Sequence, residues 1–478
     1  MTIRTTFNRR PRMRATAILA AGSAVLLIAG CGPASPTVDP TGRTSQSSSL
    51  PEEIGGDLTY WAGFESTDDE SVAAFKGLMI DPFLAKYPNV TINVVPQVEE
   101  GSVRRLQTAL SAGQGPDFIE TAGSAAAIPF AQAGFLADLG ELAQREGWTD
   151  QLLPWALDMG VIDGKLVAIP LSYETLVLYY NKTLFDQHGW QPPTDRASLE
   201  ALAGQMQAAG VIPFANANAD YKGATEHLLS AFLNQVAGPG RIHDALAGEL
   251  PFTDQAFVDT MQLMVDYFNK GWIAGGVKQY LSMTDPQKFA KLVNGEAAML
   301  VSGSWEVAAL NEYFDDAGAS SEWAWAPLPP LAPGVPSQVF PLSVGGTMSI
   351  NAATANPAAA QAYLAWLFSD TAANWQVVKE LGNSPMPVEF DAASVPDGID
   401  PRFTAQFEAI SEAAVAENVG YVTWTSFGGA AATYILENAD KLLTGDLTPT
   451  DFCAGLQAAN AEDAAAGAVP PLYETAAR

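Results

Sequence analysis

Cysteine, histidine and positive charge are all scarce in this chain. Its 478 residues include two Cys and three His, and 24 Lys and Arg stand against 53 Asp and Glu. Cys31 ends an N-terminal apolar run, and Cys453 stands alone, so no disulfide can form within the body of the chain. No His lies near Cys453 in sequence to make it a catalytic thiolate; it follows Thr448-Pro449-Thr450-Asp451, a helix start, and reads as a small core residue. His188, His227 and His243 are scattered without metal-ligand spacing. Nucleophile elbow, phosphate loop and helical zincin motifs are all missing. There is no basic patch and no short-period repeat. A formal charge of −29 argues against nucleic acid and anionic headgroups as partners, and reads as solubility outside the cell.

What is present begins at the N-terminus. Arg4, Arg9, Arg10, Arg12 and Arg14 make a basic segment with no acid, and an apolar run follows from Ala15 to Ile28. A membrane span needs about 20 residues, so this run has the form of a secretory signal. Ile28-Ala29-Gly30-Cys31 resembles a bacterial lipobox, which implies cleavage after residue 30 and acylation of Cys31. An ordinary signal peptide with an incidental Cys is the other reading. Arg9-Arg10 hints at twin-arginine export, but the residues after it fit poorly, and the export route stays open. Residues 32–56 are rich in Ser, Thr, Pro and Gly, the composition of a flexible tether. Removing residues 1–30 takes away five Arg and no acid, so the charge moves from −29 to −34. The remaining 448 residues suffice for two domains.

Along the body, strand and helix patterns alternate, which predicts an α/β fold. Leu58 to Trp61 reads as a strand, residues 70–87 as a helix, and Val90, Ile92 and Val94 as a second strand. A helix over 101–112 precedes a third strand at Phe118-Ile119, an order that favours a doubly wound sheet. Asp163-Gly164-Lys165 is a turn, and apolar strands at 166–169 and 176–180 flank Pro170. Gly189 reads as a helix C-cap, and Pro192-Pro193-Thr194 opens a helix with Leu199, Leu202 and Met206 on one face. Further strands are expected at 297–301 and 347–350. Asn356-Pro357 supplies N-cap and first-turn chemistry for a helix ending near Ser369, and Thr448-Pro449 repeats it.

Several motifs in order then resemble one family. They are Trp61-Ala62-Gly63-Phe64-Glu65 after the first strand; Ala112 to Asp117; Gly164 to Pro170 with Glu174 and Leu178 to Leu184; Asn294 to Met299 with Ser302-Gly303-Ser304-Trp305; Gly345-Gly346; and Leu443-Thr444-Gly445. Over roughly residues 57–465 the chain is similar to the extracellular solute-binding proteins of carbohydrate ABC importers, the maltose-binding group of bacterial solute-binding protein family 1. The resemblance implies a two-lobe, periplasmic-binding-protein-like type II α/β fold with strands crossing near 174–180 and 341–349 and a ligand cleft between the lobes. One lobe would comprise residues 57–175 and 326–370, the other 176–325 and 371–478.

A sugar needs flat aromatic surfaces for its C–H faces and fixed polar groups for its hydroxyls. Glu65 sits where the family often places a hydroxyl-binding acid, although it is also one acid among Asp68-Asp69-Glu70. Glu174 matches a ligand-contacting acid of maltose-binding members, and a carboxylate in an apolar strand is costly unless paired. Tyr173 is its neighbour. Trp305 matches a stacking aromatic, with a core Trp as the alternative. Trp424, in a run of aromatic, polar and Gly residues, lines the cleft or packs locally. Trp323 and Trp325 read as packing residues. Gly345 and Gly346 admit a ligand close to the backbone, or simply bend a strand. Where maltose-binding members carry an aromatic and charged contacts, this chain has Thr121-Ala122-Gly123-Ser124, so maltose itself is not implied; Thr121 and Ser124 are candidate hydroxyl binders.

The implied function is capture of an extracellular sugar or oligosaccharide by lobe closure and delivery to an ABC permease, by a lipid-anchored monomer on the outer face of the membrane. No catalytic residue, metal or cofactor is expected. Two rivals stand beside it. A secreted glycosidase would use a carboxylate pair such as Glu65 and Glu174. A binding protein of the same fold for a polyamine or peptide would keep the aromatics and acids, whereas an anion would want Arg or Lys, which are scarce.

Overall fold

The alternation at residues 58–62 becomes a strand with one buried face: Leu58, Tyr60 and Ala62 are buried, Thr59 and Trp61 half-buried. The computed structural model describes residues 54–64, 69–98, 102–316, 321–369, 371–381 and 384–476, and the account that follows is confined to them. The proposed signal, Cys31, the tether up to residue 53 and Glu65 lie outside the described residues. No helix among those described is long and apolar enough to cross a membrane.

The strands are β1 (Gly55–Phe64), β2 (Asn89–Val98), β3 (Phe118–Thr121), β4 (Val161–Ile162), β5 (Lys165–Leu166), β6 (Ile169–Asn181), β7 (Ile212–Phe214), β8 (Ala297–Gly303), β9 (Trp323–Ala326), β10 (Phe340–Ile350) and β11 (Val419–Tyr421). One mixed sheet runs β2-β1-β3-β10-β6-β8-β7, with β11 beside β10 and β9 beside β6. β1 is parallel to β2 and β3, whereas β10 is antiparallel to β3 and β6. β8, buried along its whole length, is the continuous apolar run expected of a strand covered on both faces. β4 and β5 form a separate hairpin whose two-residue turn places both Asp163 and Gly164 at positive φ (51° and 74°), the backbone of the favoured Asp-Gly turn.

Two lobes follow from where the apolar side chains go. Phe118 packs with Leu58, Tyr60 and Phe83 on one face of the first three strands, and Ile119 packs with Leu106, Ile128 and Phe130 on the other. Helices thus cover both faces, as doubly wound patterning predicts. A second, larger core gathers β8, the helices over 196–269 and the C-terminal helices. β6 and β10 join the two. Ile169 and Met348 belong to the first core, Tyr173 and Val344 to the second, so the strands cross between the lobes at 169–173 and 344–348. On β6 this lies just ahead of the 174–180 expected; on β10 it falls within 341–349.

Four local expectations are corrected. Pro170 does not separate two strands, because β6 runs through it. It stands opposite Thr347, where the register of β10 slips, so its missing N–H falls at an existing irregularity in the ladder. The helix over 70–87 is two, Asp69–Met79 and Asp81–Lys86, because Pro82 cannot donate to the preceding turn. The helix expected from Pro192 begins at Arg196, where Asp195 and Ser198 make a reciprocal capping box. Asn356 occupies the N-cap of Pro357–Leu367 without capping it; its amide instead donates to the Asp57 carbonyl (2.8 Å) and ties that helix to β1. Elsewhere the expectations match: Gly189 is a left-handed C-cap, Thr448 caps its helix, and Cys453 is buried and unpaired. Trp323 is buried beneath the Arg402 guanidinium (3.7 Å to the ring centre).

Candidate functional site

Strand crossing brings a carboxylate to the junction of the two lobes. Glu174, half-buried on β6, faces Ser343 on β10, whose hydroxyl donates to Glu174 Oε1 (3.0 Å). The neighbouring glycine makes room for it. A Cβ on Gly345 would lie 2.5 Å from Ser172 Oγ and 2.8 Å from Glu174 Oε2, so the missing side chain is the space these polar groups occupy. Gly346 carries no such demand: a Cβ there would touch only Thr121 O and Leu171 Cδ1, at 3.8 and 3.9 Å. The pair coincides with the register slip of β10.

Tyr173 points elsewhere. Successive strand residues face opposite sides, and its ring lies in the larger core (2% exposed), edge-on to Phe407 and Trp155. Burial raises its phenol well above the ordinary value, and its hydroxyl has no partner among the described residues.

Thr121 stays within the first lobe, and the helix begun by Ser124 meets the second. The Thr121 hydroxyl donates to Gly123 O (3.2 Å) and lies 2.6 Å from Thr347 Oγ1, so it is engaged internally. Ser124 begins the helix Ser124–Gln132, is fully buried, and its hydroxyl has no partner among the described residues. The short helix Thr423–Ser426 rests there: a Cβ on Gly123 would sit 2.6 Å from the Thr425 methyl, and the Thr425 and Ser426 hydroxyls are likewise buried without partners.

The aromatic candidates converge from distant positions. Trp305 follows β8, and its ring lies across Gly303, where a Cβ would be 2.0 Å from Cζ3. The rings of Trp305 and Trp424 are 6.1 Å apart and close to perpendicular (78°). His227 closes the group, its ring centre 5.1 Å from Trp305 and 5.0 Å from Trp424. Tyr221, 47% exposed, lies 5.7 Å beyond His227. The Thr175 amide donates to Ser304 Oγ (3.3 Å), which joins the residue after Glu174 to the residue before Trp305. The strand that carries Glu174 and the segment that carries Trp305 are therefore neighbours in the fold.

Charge around this wall is arranged in two ways. Burial first, then the Lys288 ammonium, push the His227 imidazole down to about 3, so the ring is neutral at ordinary pH. Lys288 is itself buried between Asp285 (2.9 Å) and Glu306 (3.1 Å), and Glu306 also accepts the Ser302 hydroxyl (2.8 Å). Burial lowers the Lys288 ammonium; the two carboxylates outweigh it and leave it above its usual value. Glu226, on the helix Ala224–Phe232, is pushed up to about 7 by burial, against which the Thr423 hydroxyl hydrogen bond pulls down.

That His227, Tyr221 and Glu226 lie around this wall was not legible in the sequence. Nothing in their spacing links them to Trp305 or Trp424; only packing of the helix Ala224–Phe232 against β8 and Thr423–Ser426 does. Among the described residues, no group of His, Cys, Asp and Glu could hold a metal ion. The arrangement offers flat apolar rings, a neutral imidazole and a hydrogen-bonded carboxylate, the elements that grip a polyhydroxylated ring from face and edge.

A family model for bacterial extracellular solute-binding proteins matches residues 66–374. A probable sugar-binding periplasmic protein of Mesorhizobium japonicum is 27% identical over 218 residues, 43% of this chain and 48% of that protein. The chain spans less than half the length of the first curated relatives it matches. A galactooligosaccharide-binding protein of Bacillus subtilis is 22% identical over 77% of this chain and 81% of its own length. Among solved structures, a chitin oligosaccharide binding protein superposes with a TM-score of 0.72 at 19% identity, covering 86% of this chain and 99% of its own. That likeness is one of fold.

Proposed function

Because the chain belongs to the bacterial extracellular solute-binding protein family, we propose that it captures a sugar or oligosaccharide outside the cytoplasm and hands it to an ABC-type permease. The observation that carries this reading is the convergence of the Trp305 and Trp424 rings, 6.1 Å apart, at the end of β8 that pairs with β6 two residues past Glu174. One lobe takes roughly residues 57–175 and 326–370, the other 176–325 and 371–478. Hinge bending at the crossing closes one lobe on the other, and ligand favours closure only through contacts stronger in the closed state. Glu65, Gly345 and Gly346 complete the polar side of the site, whereas the Thr121 hydroxyl is engaged internally and Ser124 is buried. Acylation of Cys31 holds this monomeric body on the outer face of the membrane, and no turnover is required.

The test is isothermal titration of the chain from residue 32 onward with chitobiose, galactobiose and maltose, each binder then checked for hydrolysis. Saturable one-to-one binding without product is the expected result. Product would convert the reading to a glycosidase, and silence with every saccharide alongside binding of spermidine would move it to a polyamine receptor. Gly345→Ala is a milder probe of the same site. Its methyl pushes the flexible Glu174 carboxylate away from Ser343, so affinity is expected to drop roughly tenfold, the worth of one polar contact, with the melting temperature little changed. Unchanged affinity would remove Glu174 from the site.

A further inference from the structure

One helix of the first lobe, Ser124–Gln132, touches the second lobe at both ends. It packs into its own lobe through Ala127, Ile128 and Phe130. At its C-terminal end the Gln132 side-chain amide donates to Ala466 O (3.4 Å) and Gly467 O (3.2 Å), where the helix Pro449–Ala466 of the second lobe stops. At its N-terminal end Gly123 meets Thr425. A Cβ on Gly123 would lie 2.6 Å from the Thr425 methyl and 3.4 Å from Val344 O on the crossing strand β10. Thr425 belongs to the short helix Thr423–Ser426, which is anchored in the larger core by the flanking Val422 and Phe427.

The two ends differ in how their polar groups are met. Gln132 is paired across the contact. Thr425, Ser426 after it and Ser124 after Gly123 are fully buried, and none of their three hydroxyls has a partner among the described residues. Neighbouring hydroxyls that turn into a single lobe are paired. Thr423 Oγ1 lies 3.0 Å from Ser230 Oγ within the second lobe, and Thr121 Oγ1 lies 2.6 Å from Thr347 Oγ1 within the first. The unpaired hydroxyls are therefore those beside the contact between the lobes.

We infer that Thr425, flanked by Ser426 and facing the Gly123-Ser124 turn, is a positioning residue for lobe closure: the contact at Gly123 strips water from these hydroxyls without giving them partners, and so acts as a brake that keeps the ligand-free chain open. The physical reason is an asymmetry in solvation. A hydroxyl moved from water into an apolar contact loses its hydrogen bonds, and that loss is recovered only if the contact supplies new ones. Here Gly123 offers Thr425 no side chain, and the Thr425 methyl fills the gap instead. Opening returns the hydroxyls to water. Ligand contacts made only in the closed form must outweigh this cost, so the brake lowers apparent affinity by reducing the population able to close. A chain that closed readily by itself would bar ligand from its own cleft.

The test uses the chain from residue 32 onward, and its first arm needs no ligand. Thr425→Val keeps the shape of the side chain and removes the hydroxyl. The radius of gyration of this variant, measured by small-angle X-ray scattering, is expected to be smaller than that of wild type. Ser124→Ala, on the other side of the contact, is expected to act in the same direction, and it keeps the test sharp should Thr425→Val fold poorly. A radius unchanged in both variants overturns the inference, because the hydroxyls then only pack. The second arm rests on the capture reading. Affinity for the best of chitobiose, galactobiose and maltose is expected to rise about three- to tenfold in Thr425→Val, the release of one unpaired hydroxyl. An affinity that falls instead also overturns the inference, because it makes the hydroxyl a ligand contact. If no saccharide binds, the capture reading fails, while the scattering arm still decides the role of Thr425.

Discussion

Replacing Lys288 with methionine is expected to cost about 3–5 kcal/mol of folding stability, the penalty of leaving a buried carboxylate without its counter-charge. The ammonium sits between Asp285 and Glu306, 7% exposed, on the helix Asp285–Val293, whose start is capped by Thr284 and Gln287. Methionine preserves the length and apolar stem of the side chain, so the loss reports the charge, including the contact of the ammonium with the Phe289 ring (4.5 Å to its centre). Glu306, 9% exposed, would retain the Ser302 hydroxyl alone among its partners in the described residues. Denaturant unfolding at pH 7 measures the effect. The double variant Lys288→Met with Glu306→Gln is expected to recover most of it, because no buried charge then remains. A single-variant loss below about 1 kcal/mol, the worth of an exposed pair, would mean that the site is hydrated. The same change removes the ammonium that helps hold His227 down, so the imidazole is expected to titrate higher than about 3.

Trp305→Ala is expected to weaken saccharide binding by roughly 30- to 100-fold, or about 2–3 kcal/mol, as loss of a central aromatic anchor does. The ring is half-buried: one part packs over Gly303 and edge-on to His227 and Trp424, and the remainder stays accessible beside the strand crossing. Its large apolar face is what a sugar ring stacks on. Trp305→Phe keeps a face of the same orientation and is expected to retain most of the affinity. Titration of both variants with the best-binding saccharide measures this. An alanine variant within twofold of wild type would show that the ring only packs, leaving Trp424 as the wall.

How far the sequence carried the reading depends on the range over which each feature is encoded. Period-two burial in β1 and β2, the Asp163-Gly164 turn, and the caps at Gly189 and Thr448 are local, set by neighbours within a few residues. They were legible directly. Pro170 and Asn356 were misread because each follows a local preference that a distant partner overrides, the register slip at Thr347 and the Asp57 carbonyl respectively. The discontinuous lobes came from the family resemblance, since hydrophobicity does not say which core a strand joins.

Composition and patterning alone determined that this is an acidic α/β chain with no disulfide in its body, and the family resemblance added solute binding and pointed to Glu174, Trp305 and Trp424 as the residues to watch. Tertiary structure alone decided that Tyr173 turns into the core while Glu174 faces the crossing, that Gly345 is the space a carboxylate fills, and that His227 completes the aromatic wall. Burial in that packing also lowers the His227 imidazole and raises the Glu226 carboxyl. The reason is physical. Periodicity and capping are written in bonds between near neighbours, whereas convergence of residues 227, 305 and 424, and the desolvation that moves a proton, exist only once separate segments exclude water from one another.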